Sequence, residues 1–374
     1  MKTLAEIAKS LDGHLHGDGS LQIDRVVHPA LASGPRDLAL LLSASAAKYL
    51  ASGELVSAVV PEDVDPARTS NWISVKRPRL ALARLMELFE RPVYSPPGIH
   101  PTAVIESSAK VGKDVGIGPH CWIGPETVIG DGTRIVSNVS IGANVVLGKK
   151  CLIHAGVSIG DRCEIGNRVI IQPNATIGGD GFAFVTPERG SVEDVKAKKQ
   201  INNFNTEIAR INSIGNVVVE DDVEIGSGTC VDRGTMGETR IGRGSKLDNL
   251  IQVGHNASIG QNCLVVALVG LGGSSQLGDR VVMGGQSGLP DHMSVGDDSV
   301  VYAQSGISEN IPPRNLVGGT PAVPLRDALR REMSAKRLPR MFQELKELKQ
   351  RVAELESLVK QIDPETSAKI AKLR

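Results

Sequence analysis

The chain has 374 residues, 41% of them apolar, with 42 basic side chains against 42 acidic ones. That apolar content excludes a disordered polymer, and the even charge excludes a basic nucleic-acid coat over the whole chain. Only 10 residues are aromatic while 41 are Gly, with no Gly-X-Y period, so the core must be Val, Ile, Leu and Ala rather than collagen or an aromatic-rich interior.

The N-terminal MKTLAEIAKSLDG predicts an amphipathic helix over Leu4–Leu11, without the uninterrupted apolar stretch of a signal peptide. Strand-like stretches at 21–27, 55–60 and 72–75, with helices near 44–51 and 80–89, make residues 1–100 a small α/β domain. It closes on a linker with four prolines between 92 and 101. The longest apolar runs, 38–42 and 263–269, fall far short of the roughly 18 residues needed to span a membrane. Five cysteines, an odd number with no CxxC spacing, predict a reduced, cytoplasmic protein without a metal site.

From Ile105 an aliphatic residue returns every six positions through Ile177 without a slip, usually with Gly directly after it. The pattern resumes at Val219, Ile225 and Val231, jumps by ten, and runs from Ile241 to Ile307. A period of six fits neither 3.6 nor 2. It fits a parallel β-helix with three flat faces, one short strand and one corner per repeat, over residues 101–320. The aliphatic residue and the small residue two before it both point into the lumen, which accounts for the missing aromatics. Cys121, Cys151, Cys163 and Cys263 take this inward slot as small hydrophobes. The glycines are expected at the corners for their backbone freedom.

Two breaks interrupt the repeat. Residues 179–213 form a long excursion that opens Asp180-Gly181-Phe182-Ala183-Phe184, and a loop of that length is usually functional or disordered, the plain alternative being a loop packed on the outside of the prism. Residues 232–240 add four residues at one corner. Ile311-Pro312-Pro313 and Gly318-Gly319 stop the prism, and a helical tail fills 321–374. There Leu338, Leu345, Val352 and Val359 alternate with Met341, Leu348, Leu355 and Ile362 as heptad positions a and d. This stripe fits either a coiled coil or a helix folded back on its own chain. Arg326, Arg330, Arg331, Lys336, Arg337 and Arg340 crowd the start of the tail, as a solvated face or a steering patch for an acidic protein.

Chemistry is sought among the eight histidines. Positions 18 apart stack one coil above another, about 4.8 Å apart. His255 and His292 differ by two coils plus one residue and therefore share a corner, with Gly272-Gly273 between them. A histidine beside bare backbone N–H groups is the arrangement of a general base next to an oxyanion donor; the alternative is two surface histidines on a glycine-rich turn. His120 and His154 lie in other registers and read as surface residues. There is no G-x-S-x-G elbow.

Asp180-Gly-Phe-Ala-Phe, Val231-Asp-Arg-Gly and Asp248-Asn-Leu-Ile-Gln-Val-Gly-His-Asn, in that order within hexapeptide repeats, resemble the UDP-3-O-acylglucosamine N-acyltransferases. The resemblance covers nearly the whole chain. It implies a left-handed parallel β-helix, a homotrimer with sites between neighbouring prisms, and transfer of a 3-hydroxyacyl chain from acyl carrier protein to the 2-amine of UDP-3-O-acylglucosamine in lipid A synthesis. No cofactor is implied beyond the phosphopantetheine that carries the acyl group. Carried over, the catalytic base is His255, with Gly273 as oxyanion donor and Asp248 as a candidate to orient the base. His292, Asp180, Phe182 and Tyr49 become substrate-binding residues.

The sequence departs from the family in its uracil-stacking segment, usually close to F-x-x-N-x-K-Y. Here it reads Leu41-Leu-Ser-Ala-Ser-Ala-Ala-Lys-Tyr49, with Leu in place of Phe and no counterpart of the Asn. The rival functions are a nucleotide-sugar N-acyltransferase using acyl- or acetyl-CoA, and a non-catalytic β-helix scaffold.

Overall fold

The computed structural model describes residues 1–43, 55–64, 66, 69–95, 97–191, 193–194, 203–319 and 323–362. The chain divides into two compact units, Met1–Tyr94 and Ser95–Arg374.

In the first unit, α1 (Leu4–Leu11) starts on a capping box. The Thr3 hydroxyl accepts from the Glu6 N–H at 3.2 Å and the Glu6 carboxylate accepts from the Thr3 N–H at 2.8 Å. A five-stranded sheet runs in the order His14–His16, Thr69–Val75, Leu55–Pro61, Asp37–Leu40, Arg25–Val27, with only the first strand antiparallel to its neighbour. α1 and α2 (Pro78–Leu88) pack on one face through Leu4, Ile7, Leu11 and Leu85, while Ala39, Leu41, Ala58 and Val60 cluster on the other. Asp37–Leu40 is a strand that the sequence pattern missed. All four of its residues are buried, so a central parallel strand leaves no alternation to read. α2 begins at Pro78 rather than at 80, with the proline in the first turn where its missing N–H costs nothing. The helix expected at 44–51, and Tyr49 with it, lies outside the described residues.

The second unit is a three-sided β-solenoid. Its three parallel sheets hold 10, 9 and 9 strands, most of two residues. Away from the two breaks and the last coil, each strand pairs with the one 18 residues on: Ile123 with Ile141, Ile129 with Leu147, Ile135 with Ile153. The sixth-residue aliphatics and the residues two before them form one continuous core. Several threonine and serine hydroxyls that enter this core serve the ladder. Thr133 Oγ1 donates to the Gly148 carbonyl at 2.8 Å and accepts from the Cys151 N–H at 3.1 Å. Burial pushes the thiols of Cys121, Cys151, Cys163 and Cys263 up, so they stay protonated and act as packing.

The corner glycines have a different job from the one expected. The left-handed backbone falls two residues later, on Asp114 (φ 54°), His120 (φ 56°) and Asn144 (φ 57°) among others. The glycines are needed for closeness: a Cβ on Gly118 would lie 1.6 Å from the Val136 carbonyl oxygen. Sequence reading credited the glycine with the unusual angles. Coil-on-coil contact is what excludes a side chain there.

At the first break the chain leaves after Thr176–Gly179 and returns at Asn216–Val219, and the ladder resumes with Ile165 beside Val219 and Ile177 beside Val231. Phe184–Val185 and Ala209–Arg210 pair antiparallel within the excursion. At the second break, the strands Cys230–Asp232 and Glu238–Ile241 flank the extra residues, and Val219 pairs with Ile241. The solenoid continues past Ile307, since Leu316–Val317 pairs with Val300–Val301. Helix α3 (Leu325–Ile362) follows. Leu338, Met341, Leu345, Leu348, Val352 and Leu355 along its heptad stripe are all exposed, so its own chain does not cover them. Among the described residues no helix is long and apolar enough to cross a membrane.

Candidate active site

His255 stands at the corner that follows the strand Gln252–Val253. Two glycines make room for its ring. A Cβ on Gly273, one coil on, would lie 2.7 Å from His255 Nε2, and a Cβ on Gly181 would lie 2.7 Å from His255 Cβ. Gly181 arrives with the excursion, whose departure point is pinned by Arg233. That buried guanidinium donates through Nε to the Gly178 carbonyl at 2.7 Å. Thus the Val231-Asp-Arg-Gly run fixes where the loop leaves the prism, and the loop then lies against His255.

A cleft of about 580 Å³ opens here, lined by Asp180, Phe182, Phe184, Arg210, Asp232 and His255 among others. Phe182 and Phe184 meet edge to face with ring centroids 4.9 Å apart, and Phe182 remains 86% exposed. Asp180 is ion-paired with Arg210 and has Arg233 Nε at 3.8 Å. Burial holds the Asp232 carboxyl above the usual range, against the opposing pull of a Gln252 hydrogen bond and of His255; the charge of Asp180 adds to the rise. Grooves of similar size lie on the other two faces, at about 540 and 590 Å³, so volume does not distinguish this one. The histidine wedged between two glycines does.

At several other corners of the prism the backbone N–H is taken up by the next coil. The equivalent N–H groups of Lys113, Ala143 and Gln261 each donate to an aspartate one coil on, at 2.9, 2.9 and 2.8 Å. The Gly273 N–H has no acceptor among the described residues. It is a free donor beside the imidazole.

Of the residues singled out in the sequence, His255, Gly273, Asp180 and Phe182 come together. His292 shares the corner, its N–H donating to the Gly273 carbonyl at 3.0 Å, but its exposed side chain does not line the cleft. Asp248 is elsewhere. It occupies a different corner, on the groove of another face, and its carboxylate accepts from the N–H groups of Asn249 at 2.8 Å and Ala267 at 3.1 Å. Within the chain it cannot orient His255, because one repeat of six residues rotates the chain to the next face. His154 is half-buried rather than a surface residue, and burial lowers its pKa against the pull of Glu224. Sequence reading missed Gly181, Asp232, Arg210, Thr235 and Asn256 as neighbours of His255. Thr235 lies in the second break, whose extra length was the available signal.

On α3 the spacing places Arg326, Arg330, Arg337 and Arg340 along one side. Arg340 pairs with Glu344 and Lys336 with Glu332, both within the helix.

The bacterial transferase hexapeptide (six repeats) family matches residues 114–149 and 144–179. A UDP-3-O-acylglucosamine N-acyltransferase of Syntrophotalea carbinolica is 42% identical over 363 residues, covering 96% of this chain and 100% of its own. Proteins of the same description from Paracoccus denitrificans and Rippkaea orientalis are 43% identical over 272 residues and 50% identical over 283. They are covered to 73% and 76% of their length, and cover 71% and 76% of this chain.

Proposed function

The chain belongs to the UDP-3-O-acylglucosamine N-acyltransferase family, and on that premise we propose that it moves a 3-hydroxyacyl chain from acyl carrier protein to the 2-amine of UDP-3-O-acylglucosamine, a step of lipid A synthesis. The observation that carries the mechanism is His255, set between Gly181 and Gly273 beside a free backbone N–H. The neutral amine attacks the thioester carbonyl and a C–N bond forms. His255 Nε2 takes the amine proton, and the Gly273 N–H holds the oxyanion. Collapse breaks the C–S bond, and the phosphopantetheine thiolate leaves and recovers the proton from His255.

Asp180 and Phe182 bind substrate at the cleft, and His292 contacts the nucleotide sugar from the same corner. Tyr49 stacks on the uracil in this reading. The exposed arginines of α3 receive the acidic carrier protein. The site is reactive in a cytoplasmic homotrimer, with clefts between neighbouring prisms. Support for association comes from the uncovered heptads of α3. In a parallel register Glu344 and Arg351, at g, face Lys349 and Glu356 at e of the neighbouring copy, and both pairs attract. Oxidising a Leu348→Cys variant should then link copies to one another, and a monomer by light scattering overturns the assembly.

The decisive assay offers the protein UDP-3-O-acylglucosamine with a series of 3-hydroxyacyl carrier proteins or with acetyl-CoA, and reads the product by mass spectrometry. A diacylated nucleotide sugar from the carrier protein is expected. Product from acetyl-CoA alone would favour the CoA-dependent rival, and no product from any donor would favour a scaffold.

A further inference from the structure

The four residues added at the second break have not been given a role by the repeat. They carry Thr235 and Met236 to the side of His255, where both meet Asn256. The Asn256 carboxamide is oriented without ambiguity by two backbone groups. Its Oδ1 accepts from the Thr235 N–H at 3.0 Å, and its Nδ2 donates to the Met236 carbonyl at 2.7 Å. A backbone N–H can only donate and a carbonyl can only accept, so the amide has one orientation. Oδ1 in that orientation lies 3.2 Å from His255 Nδ1. Thr235 Oγ1 lies 3.3 Å from the same nitrogen.

We propose that Asn256, clamped by the added corner residues 235 and 236, is a positioning residue that fixes the tautomer of His255. An amide oxygen facing Nδ1 requires Nδ1 to carry the proton in the neutral ring. The lone pair of Nε2 is then directed to the side where Gly273 leaves space. A free imidazole divides its proton between the two nitrogens, and only the Nδ1–H form can accept a proton at Nε2. The carboxylate that often does this work in other enzymes is replaced by a neutral amide, which orients the ring without adding charge beside it. The excess length of the corner is thus the means of holding the amide: with an ordinary corner, no backbone from 235 and 236 would reach the side chain. Asn256 itself sits in the left-handed region (φ 60°), which asparagine tolerates well, and its N–H donates to Thr239 Oγ1 at 2.8 Å. The other charged groups near the ring are Asp232 and the ion pair of Asp180 with Arg210.

This inference rests on His255 being the base, and its test separates the two ideas. The pH profile of kcat/KM is measured for the native protein, His255→Ala, Asn256→Asp and Asn256→Gly, each checked for its circular dichroism and oligomeric state. An acidic limb present in the native protein and lost in His255→Ala assigns that limb to His255. Asn256→Asp keeps the acceptor beside Nδ1 but adds a negative charge that favours the imidazolium, and should move the limb up by about one pH unit. Asn256→Gly keeps the left-handed backbone and removes the acceptor, and should lower kcat up to about tenfold while KM holds. A purely structural asparagine would change the amount of folded protein and leave the limb in place. An unmoved limb in Asn256→Asp, with kcat retained in Asn256→Gly, overturns the positioning role and leaves the base standing. A limb that survives in His255→Ala overturns both.

Discussion

The coils between residues 104 and 177 and those between 178 and 292 share one lumen and one ladder, and they differ in what the corners do. In the first stretch several corners close on the next coil: the N–H of Lys113 is taken by Asp131, and that of Ala143 by Asp161. In the second, the excursion and the four added residues bring Asp180, Gly181 and Thr235 against a corner where Gly273 is left undonated. The N–H of Ala155 in the regular stretch is equally without an acceptor among the described residues, so what sets the Gly273 N–H apart is the imidazole and the loop brought beside it. The stability of the prism should therefore reside mainly in one region and its chemistry in the other, and substitutions can separate the two.

The largest effect is expected from His255→Ala, which should reduce turnover about 10²–10⁴-fold while the thermal transition of the prism stays in place. A variant that lost its fold together with its activity would join what the comparison separates. Next comes Ile141→Ala in the regular stretch. Its side chain is wholly buried, and the loss should lower stability by about 2–5 kcal/mol in chemical denaturation while kcat per folded molecule holds. Thr133→Val leaves the Gly148 carbonyl without its hydroxyl donor in the lumen and should cost about 1–3 kcal/mol in the same measurement. A neutral Thr133→Val would show that the lumen hydroxyls do not serve the ladder. The smallest effect lies outside both regions. Reversing Arg330, Arg331 and Arg337 on α3 should raise KM for acyl carrier protein several-fold at low salt and less at high salt, leaving the KM for the nucleotide sugar alone. An unchanged KM at low salt would make these arginines a solvated face.

The solenoid was legible because one period governs it: each sixth residue from Ile105 onward points inward, and the structure buries nearly all of them. His255 and Gly273 were legible for the same reason, since a spacing of 18 converts directly into a stack. Asp248 entered through the family resemblance, and the period speaks against it, since six residues carry the chain to another face. Gly181, Arg210 and Thr235 were not legible as a group. They reach the site through the two segments where the period is suspended, and no spacing rule applies inside those segments. Asp37–Leu40 escaped because burial on both faces erases alternation.

The pairing of Ile123 with Ile141 and of Ile129 with Leu147 means that the prism behaves as a screw with a thread of eighteen residues. Coils can then be added in only one harmless increment. A duplication of eighteen residues in the regular stretch would lift everything beyond it by one thread and keep the His255 corner pointing the same way. A duplication of six, though it respects the hexapeptide pattern perfectly, would turn the later coils by a third of a revolution against the earlier ones. Descendants of this chain are free to grow taller by whole turns, while the single repeat, the most obvious unit in the sequence, is the wrong unit of inheritance.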